Sequence, residues 1–259
     1  MEKILISGAS SGLGKYLHEN LPSIPLTRET SKLDFERLKK SGVDLIIHCA
    51  ANSSKDITSE NIYSYIEDNI ELTRKLTNIP HKKFIFISTV DVYPDDGLVH
   101  SEEEVLNLEK AINLYAVSKI ISESIIRNNS KNHLILRCCS LLGKYMRKNN
   151  LIKILDEENP KLSLDPNSEF SYILYSDILE IVKSSLKDQE KAKGTFNTVS
   201  SGHLKLSEVA SLTNKNVTFG KFLYKAARVN NSKILEIFPE FKISSIEKLK
   251  KFISERKNG

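Results

Sequence analysis

Apolar residues run along this chain in short unbroken blocks more often than in strict alternation. Lys3-Ile4-Leu5-Ile6, Ser23-Ile24-Pro25-Leu26-Thr27, Val43 to Ala51, Phe84 to Ile87 and Asn132 to Leu136 are the clearest of them. A strand apolar at every position is covered on both faces, which is the condition of a parallel sheet. The segments between have helical character: Lys15 to Leu21, a stretch starting near Phe35, Tyr63 to Asn78, and the segment carrying Tyr115 and Lys119. Strand and helix in alternation predict an α/β fold, doubly wound, with a parallel sheet flanked by helices. Beyond Leu142 the pattern is more broken. Phe170 to Tyr175 reads as a strand or extended arm, and Ser176-Asp177 opens a helix to Leu186, with Asp177 as its cap. Ser207-Glu208 begins another helix, and the last, Ile246 to Ile253, is amphipathic. The expected division is residues 1–143 for the sheet domain and 144–259 for a second part, some of whose segments return to the sheet.

In such a sheet ligands bind beyond the carboxyl ends of the strands, so the residues after each run carry the chemistry. The first run enters Ser7-Gly8-Ala9-Ser10-Ser11-Gly12-Leu13-Gly14 and then a helix. Gly8 allows a tight turn, Gly12 lets the backbone approach a pyrophosphate, and Gly14 permits close helix–strand packing. The amides of this stretch, Ser10, Ser11 and Leu13 among them, face the anion with the helix dipole behind them. The second run is followed by Thr27, Arg28, Thr30, Ser31 and Lys32, with Glu29 as the nearby acid. A cation among hydroxyl donors suits a ribose 2′-phosphate, so NADP is expected, with NAD possible; otherwise Arg28 is an ordinary exposed arginine. Asp34, beside Phe35, either accepts from an adenine amine or caps the helix beginning near Phe35. The third run ends in Ala50-Ala51, small enough for a cofactor to lie against the backbone, and its His48 reads as a core or cleft-wall histidine.

The fourth run delivers Thr89 to the same rim. Tyr115 and Lys119, four apart, share one helical face. A hydroxyl, a phenol and an amine make a proton-transfer set in which the lysine charge lowers the phenol pKa from about 10 toward the working pH.

Composition narrows the class. At 259 residues, 40% hydrophobic and 27% charged, the chain can bury a proper core. No apolar stretch reaches membrane-spanning length and no signal-peptide layout opens the chain, so a cytoplasmic protein is expected. Three cysteines, two of them adjacent at Cys138-Cys139, do not form a disulfide framework. No Cys/His cluster has zinc spacing, so no metal is expected. The net charge of +5 is spread thinly, with local excess in the last helix and at Lys144-Tyr145-Met146-Arg147-Lys148. Lys144 and Arg147 follow a strand whose end should face the cleft, so a phosphorylated substrate is their expected ligand. No nucleic-acid motif accompanies them.

Taken in order, these pieces resemble the short-chain dehydrogenase/reductase family, and in particular its extended, nucleotide-sugar epimerase/dehydratase branch. The matching segments are Gly8–Gly14, Asp44–Ala51, Asn69 with Thr73, Phe84–Tyr93, Tyr115–Lys119, Leu136-Arg137 through Gly143, Tyr172–Asp177 and Gly194-Thr195-Phe196-Asn197. The resemblance implies a Rossmann domain over residues 1–143 that binds the dinucleotide, Asn69 included in its site, and a mainly substrate-binding part over 144–259. It implies Tyr115 as general acid/base, Lys119 on the nicotinamide ribose, and Thr89 on the reacting carbonyl or alcohol, with Asp91 beside the substrate. A homodimer is usual among such proteins. Several positions depart from the branch: the glycine spacing is that of the shorter subgroup, Leu72 and Pro94 replace usual glycines, and Cys138 replaces a frequent proline. Thr89-Val90-Asp91 stands where dehydratases resemble Thr-Asp-Glu, so elimination of water is the least supported chemistry. The expected activity is NAD(P)-dependent reduction or epimerisation of a nucleoside-diphosphate-linked sugar. The rivals are reduction of another small carbonyl compound and a non-catalytic NADP-binding regulator.

Overall fold

The unbroken apolar runs become one parallel sheet. The computed structural model describes residues 2–54, 56–187 and 192–258. Its sheet strands are β1 (Ile4–Ser7), β2 (Ser23–Leu26), β3 (Val43–His48), β4 (His81–Thr89), β5 (His133–Cys138) and β6 (Gly194–Thr198). Their order in space is β6-β5-β4-β3-β1-β2, with every neighbouring pair parallel. Alternate residues of each strand serve opposite faces. Ile4, Ile6, Leu45, Ile47, Ile85 and Leu134 pack on one side with Leu13 and Leu17 of α1 (Gly12–Asn20) and Ile178 and Val182 of α7 (Tyr175–Lys187). Leu5, Ile46, Phe84, Phe86 and Ile135 pack on the other with Leu38 of α2 (Lys32–Ser41), Leu76 of α4 (Leu72–Thr77) and Ile126 of α5 (Leu114–Asn129). Two helical layers therefore explain the apolar residues on both faces of the central strands. Pro25 is tolerated because β2 is an edge strand.

The segment expected as one helix over Tyr63 to Asn78 is interrupted. α3 (Ile62–Ile66) passes through a π turn at Glu67–Glu71 before α4. A widened turn frees a carbonyl from its usual partner. The Asn69 carbonyl accepts instead from Thr73 Oγ1 at 3.0 Å and from Ser122 Oγ, on α5, at 2.9 Å.

The chain past residue 142 builds a second core. Leu142, Ile154 of α6 (Asn150–Asp156), Leu174, Val209 of α8 (Leu206–Thr213), and Leu249 and Phe252 of α10 (Ser245–Asn258) meet there. The remaining helix, α9 (Ser232–Ile237), contributes Ile234 to the sheet-side cluster. The arm expected over Phe170 to Tyr175 is two short strands, Glu169–Phe170 and Tyr172–Leu174; the latter pairs in parallel with Ser140–Leu142. β6 is the segment that returns to the main sheet, beside β5. Among the described residues no helix is long and apolar enough to cross a membrane.

The sheet order reverses between β1 and β3, since β2 lies on the far side of β1. A crevice opens at such a switch point, beyond the strand ends. Register brings Ser7 level with both Leu26 and His48, and Thr89 level with Cys138, so the loops after these strands share one rim.

Candidate active site

Gly8 and Ala50 flank the switch point, and they fit only because neither carries bulk toward the other. Gly8 has φ +73°, and a Cβ on it would sit 2.8 Å from the Ala50 nitrogen. A Cβ on Gly14 would come within 2.3 Å of the Gly8 carbonyl oxygen, so α1 approaches the turn as closely as it does because residue 14 has no side chain. Gly12, at φ +55°, begins the helix. Two cavities open along this rim. One, of about 640 Å³, is lined by Gly12, Leu13, Gly14, Tyr115, Met146 and Tyr175 among others. The second, of about 550 Å³, is lined by Ser10, Thr27, Arg28, Glu29, Asp68 and Lys75 among others. They meet at Gly8, Ser11, Ala50, Ala51 and Arg147. A long groove with a side-chain-free turn and a helix start at its middle fits a dinucleotide: diphosphate at the turn, one nucleoside in each cavity.

Tyr115 enters the groove from the first turn of α5. Asn113 caps that helix, its Oδ1 accepting from the Ala116 amide at 2.9 Å. One turn on, Lys119 is 4% exposed; its Nζ donates to the Ile87 carbonyl at 2.7 Å and lies 4.5 Å from the Phe86 ring centroid and 5.5 Å from that of Tyr115. That bond ties α5 to β4 two residues before Thr89. The Thr89 Oγ1 accepts from the Asp91 amide at 3.2 Å and caps a 3₁₀ turn, Val90–Val92, against which α5 packs. Asp91 Oδ1 in turn accepts from the Tyr224 hydroxyl at 2.8 Å.

Burial governs the charges here. It lowers Lys119 to about 8, so the ammonium persists at neutral pH but is held loosely. It raises the Tyr115 phenol, and the Asp91 carboxylate raises it further; the cation pulling it down is Arg147. The phenol is thus raised and not lowered as expected from Lys119, whose ammonium lies against a carbonyl and an aromatic face. Tyr224 is likewise raised by burial and by Asp91.

Other expected site residues fall elsewhere. Arg28 stands on the rim, 84% exposed, its Nη2 2.7 Å from Asp68 Oδ2. Asp34 and Phe35 line neither cavity. Asp34 lies in the first turn of α2, which starts at Lys32; Ser31 is the cap, accepting from the Asp34 amide at 3.1 Å and donating its hydroxyl to Asp34 Oδ2 at 2.7 Å. The Phe35 ring lies against the apolar cluster under α2. The Asn69 side chain clasps the loop after β3, accepting from the Asn52 amide and donating to the Asn52 carbonyl. Lys144 lines a separate cavity with Met146, Ile152 and Phe252, its Nζ over the Tyr145 ring. His48 is a core residue, 1% exposed. Sequence reasoning missed Tyr175, whose ring lies where a Cβ on Gly143 would stand, and it missed the bond from Tyr224 to Asp91. The aromatic and basic character of Phe222 to Arg228 was the available signal for Tyr224.

A doubly wound sheet with a glycine turn at its switch point and a Tyr-x-x-x-Lys helix beside it defines a short-chain dehydrogenase/reductase. Within that class, residues 4–197 match the model of the NAD dependent epimerase/dehydratase family, and the chain belongs to it. Solved structures agree in fold. A UDP-glucuronic acid 4-epimerase from Bacillus cereus, in complex with UDP-glucuronic acid and NAD, superposes with a TM-score of 0.77 at 17% identity, covering 98% of this chain and 99% of that one. A dTDP-4-dehydrorhamnose reductase from Clostridium acetobutylicum gives 0.79 at 18%, with coverages of 98% and 99%. An NAD-dependent NDP-hexosamine 5,6-dehydratase involved in tunicamycin biosynthesis gives 0.79 at 17%, with coverages of 100% and 99%. No curated protein matches the sequence at a significant level.

Proposed function

We propose that this protein is an NAD(P)-dependent oxidoreductase that reduces a keto group on, or epimerises, a nucleoside-diphosphate-linked sugar. The observation that carries the reading is that Tyr115 lines the same cavity as Gly8, Gly12 and Gly14. A proton-transfer group and a dinucleotide cradle then face one space. The family and the named substrates of the structural neighbours support the sugar nucleotide as its class.

The nicotinamide, when bound, exchanges hydride with the substrate carbon. The chain's own residues manage the oxygen. Thr89 hydrogen-bonds it, and Tyr115 gives or takes its proton. With its pKa held up by burial and Asp91, the phenol keeps its proton at neutral pH, which suits donation to a carbonyl. Lys119, buried on the phenol's own helix, holds α5 against β4 through the Ile87 carbonyl; we assign it the nicotinamide ribose, which its Nζ would reach by turning from that carbonyl. Arg28 is the group we assign to a 2′-phosphate, which makes NADP the preferred dinucleotide; a phosphate there displaces Asp68 from the guanidinium.

Replacing Tyr115 by Phe should lower turnover by roughly 10²–10⁴-fold, the usual worth of a positioned acid/base. Dinucleotide affinity should stay near that of the wild type. Following cofactor absorbance with NADPH and NADH across keto-sugar nucleotides and simple ketones measures both cofactor and substrate preference; unchanged turnover in the variant sinks the mechanism. We also read the protein as a cytoplasmic homodimer. Tyr63 and Ile66 on α3 and Ile112 and Leu114 at the start of α5 are exposed apolar side chains that a second copy would cover. Light scattering should return twice the chain mass, and a monomer would refute it.

A further inference from the structure

The basic stretch 144–148 does not lie out in solvent as a loose surface turn. It folds back over the glycine turn. The Gly12 amide, first in α1, donates to the Tyr145 carbonyl at 3.1 Å. Tyr145 holds that carbonyl in place with φ +72°, a left-handed backbone that bulky residues adopt only under constraint. Lys15 of α1 stands over the Tyr145 ring, 4.2 Å from its centroid, and Lys144 lies 4.9 Å from the same ring. Two residues on, the Arg147 guanidinium crosses the groove. Nη1 is 3.4 Å from Ser53 Oγ and Nη2 is 3.5 Å from the Ala51 carbonyl, both long contacts that a better acceptor would replace.

Arg147 is also the charged residue among those shared by both cavities where they join, with Gly8, Ser11, Ala50 and Ala51. A dinucleotide laid along the groove has its diphosphate at that junction. The glycine turn offers amides and a partial dipole charge there but no full cation, and Arg28 is paired with Asp68.

We propose that the 144–148 strap is a clasp for the cofactor's diphosphate, with Arg147 as its binding group and the Tyr145 carbonyl as a placeholder for a phosphate oxygen. This rests on the dinucleotide reading above and assigns Arg147 to the cofactor instead of the sugar nucleotide. On binding, a phosphate oxygen takes over the Gly12 amide, Tyr145 leaves its constrained backbone, and the guanidinium moves from two neutral acceptors to a charged, bidentate one.

Calorimetric titration of the full chain with ADP-ribose, adenosine and UDP tests this. Arg147→Ala should weaken ADP-ribose binding roughly tenfold to a hundredfold, as expected for loss of a charged hydrogen-bonded partner, and leave adenosine within about twofold. The salt dependence of ADP-ribose binding should fall in step. Lys183→Ala, which removes a charge of the same sign from an exposed pair with Glu180 outside both cavities, should change either ligand by less than about threefold. Arg147 is exposed, and a melting curve confirms that its variant folds. Equal losses for ADP-ribose and adenosine, or no loss, overturn the clasp. So does a variant that loses UDP affinity and keeps ADP-ribose, since Arg147 would then serve the substrate's diphosphate. A wild type that binds no ADP-ribose removes the dinucleotide reading itself, and the clasp with it.

Discussion

His48 shows how one buried residue couples this fold to pH. Its Nδ1 lies 2.7 Å from Ser7 Oγ, which accepts from the Ala50 amide, and its Nε2 lies 2.9 Å from Thr73 Oγ1. Thr73 donates to the Asn69 carbonyl, so the arrangement closes with a neutral ring protonated at Nε2. Burial first, and the Lys119 charge second, lower its pKa to about 3. The unfolded ring takes a proton near 6.5 and the folded one does not, so acid favours the unfolded chain. Stability should therefore fall as pH drops from 6.5 toward 3, by at most about 1.4 kcal/mol per unit from this ring. Between pH 7.5 and 5 that is about 2 kcal/mol, or roughly 4–8 °C in melting temperature for a chain of this size. His81 and His203 are lowered by burial too and add with the same sign. His48→Gln should flatten the melting curve's pH dependence over this range; the same slope in the variant would show that the ring titrates freely. The sequence marked His48 as interior from its apolar flanks. It could not give the partners, which come from β1 and α4.

At the scale of elements, the sheet was legible and the joints were not. β1 to β5 declared themselves by apolar runs and the glycine turn by its place after β1, whereas β6, Gly194-Thr195-Phe196-Asn197-Thr198, has no such run. The π turn was hidden, because what it changes is the bonding of one carbonyl and the residues read as helix throughout. Asp177 was read as a cap, and its Oδ2 does accept from the Leu174 amide at 2.8 Å. Its other oxygen, Oδ1, takes Lys248 Nζ at 2.6 Å, a buried pair that pins α10 to the start of α7 across 71 positions of sequence. No local pattern announces such a partner. Lys248→Met leaves a carboxylate buried with a single amide donor, so it should destabilise the protein by about 3–5 kcal/mol. Adding Asp177→Asn should recover part of that loss. Urea unfolding of the two variants checks both, and equal stabilities would mean that the pair contributes nothing as a pair.

Across the whole molecule, the part past residue 142 was the least readable. Its short strands and second core draw on residues far apart in the chain, such as Leu142, Leu174, Val209 and Phe252. Periodicity within one segment does not reveal such assembly. The same holds for the groove. Gly8, Ala50 and Tyr115, which line it, each close or open a recognisable element, as do Thr89 and Lys119, which line neither cavity. Arg147 was singled out for its charge and expected on a substrate, while its position between the two cavities depends on a turn that no residue pattern specifies.

The outer border of the sheet carries one more consequence. Leu26 gives its carbonyl to the Gly8 amide, so in the alternation of β2 the next residue back, Pro25, turns its backbone nitrogen away from the sheet. That nitrogen bears no hydrogen. A foreign strand arriving along this margin finds a gap in the row of donors it would need, and the exposed ring obstructs its approach. One imino acid thereby discourages the sheet from lengthening into a neighbouring molecule.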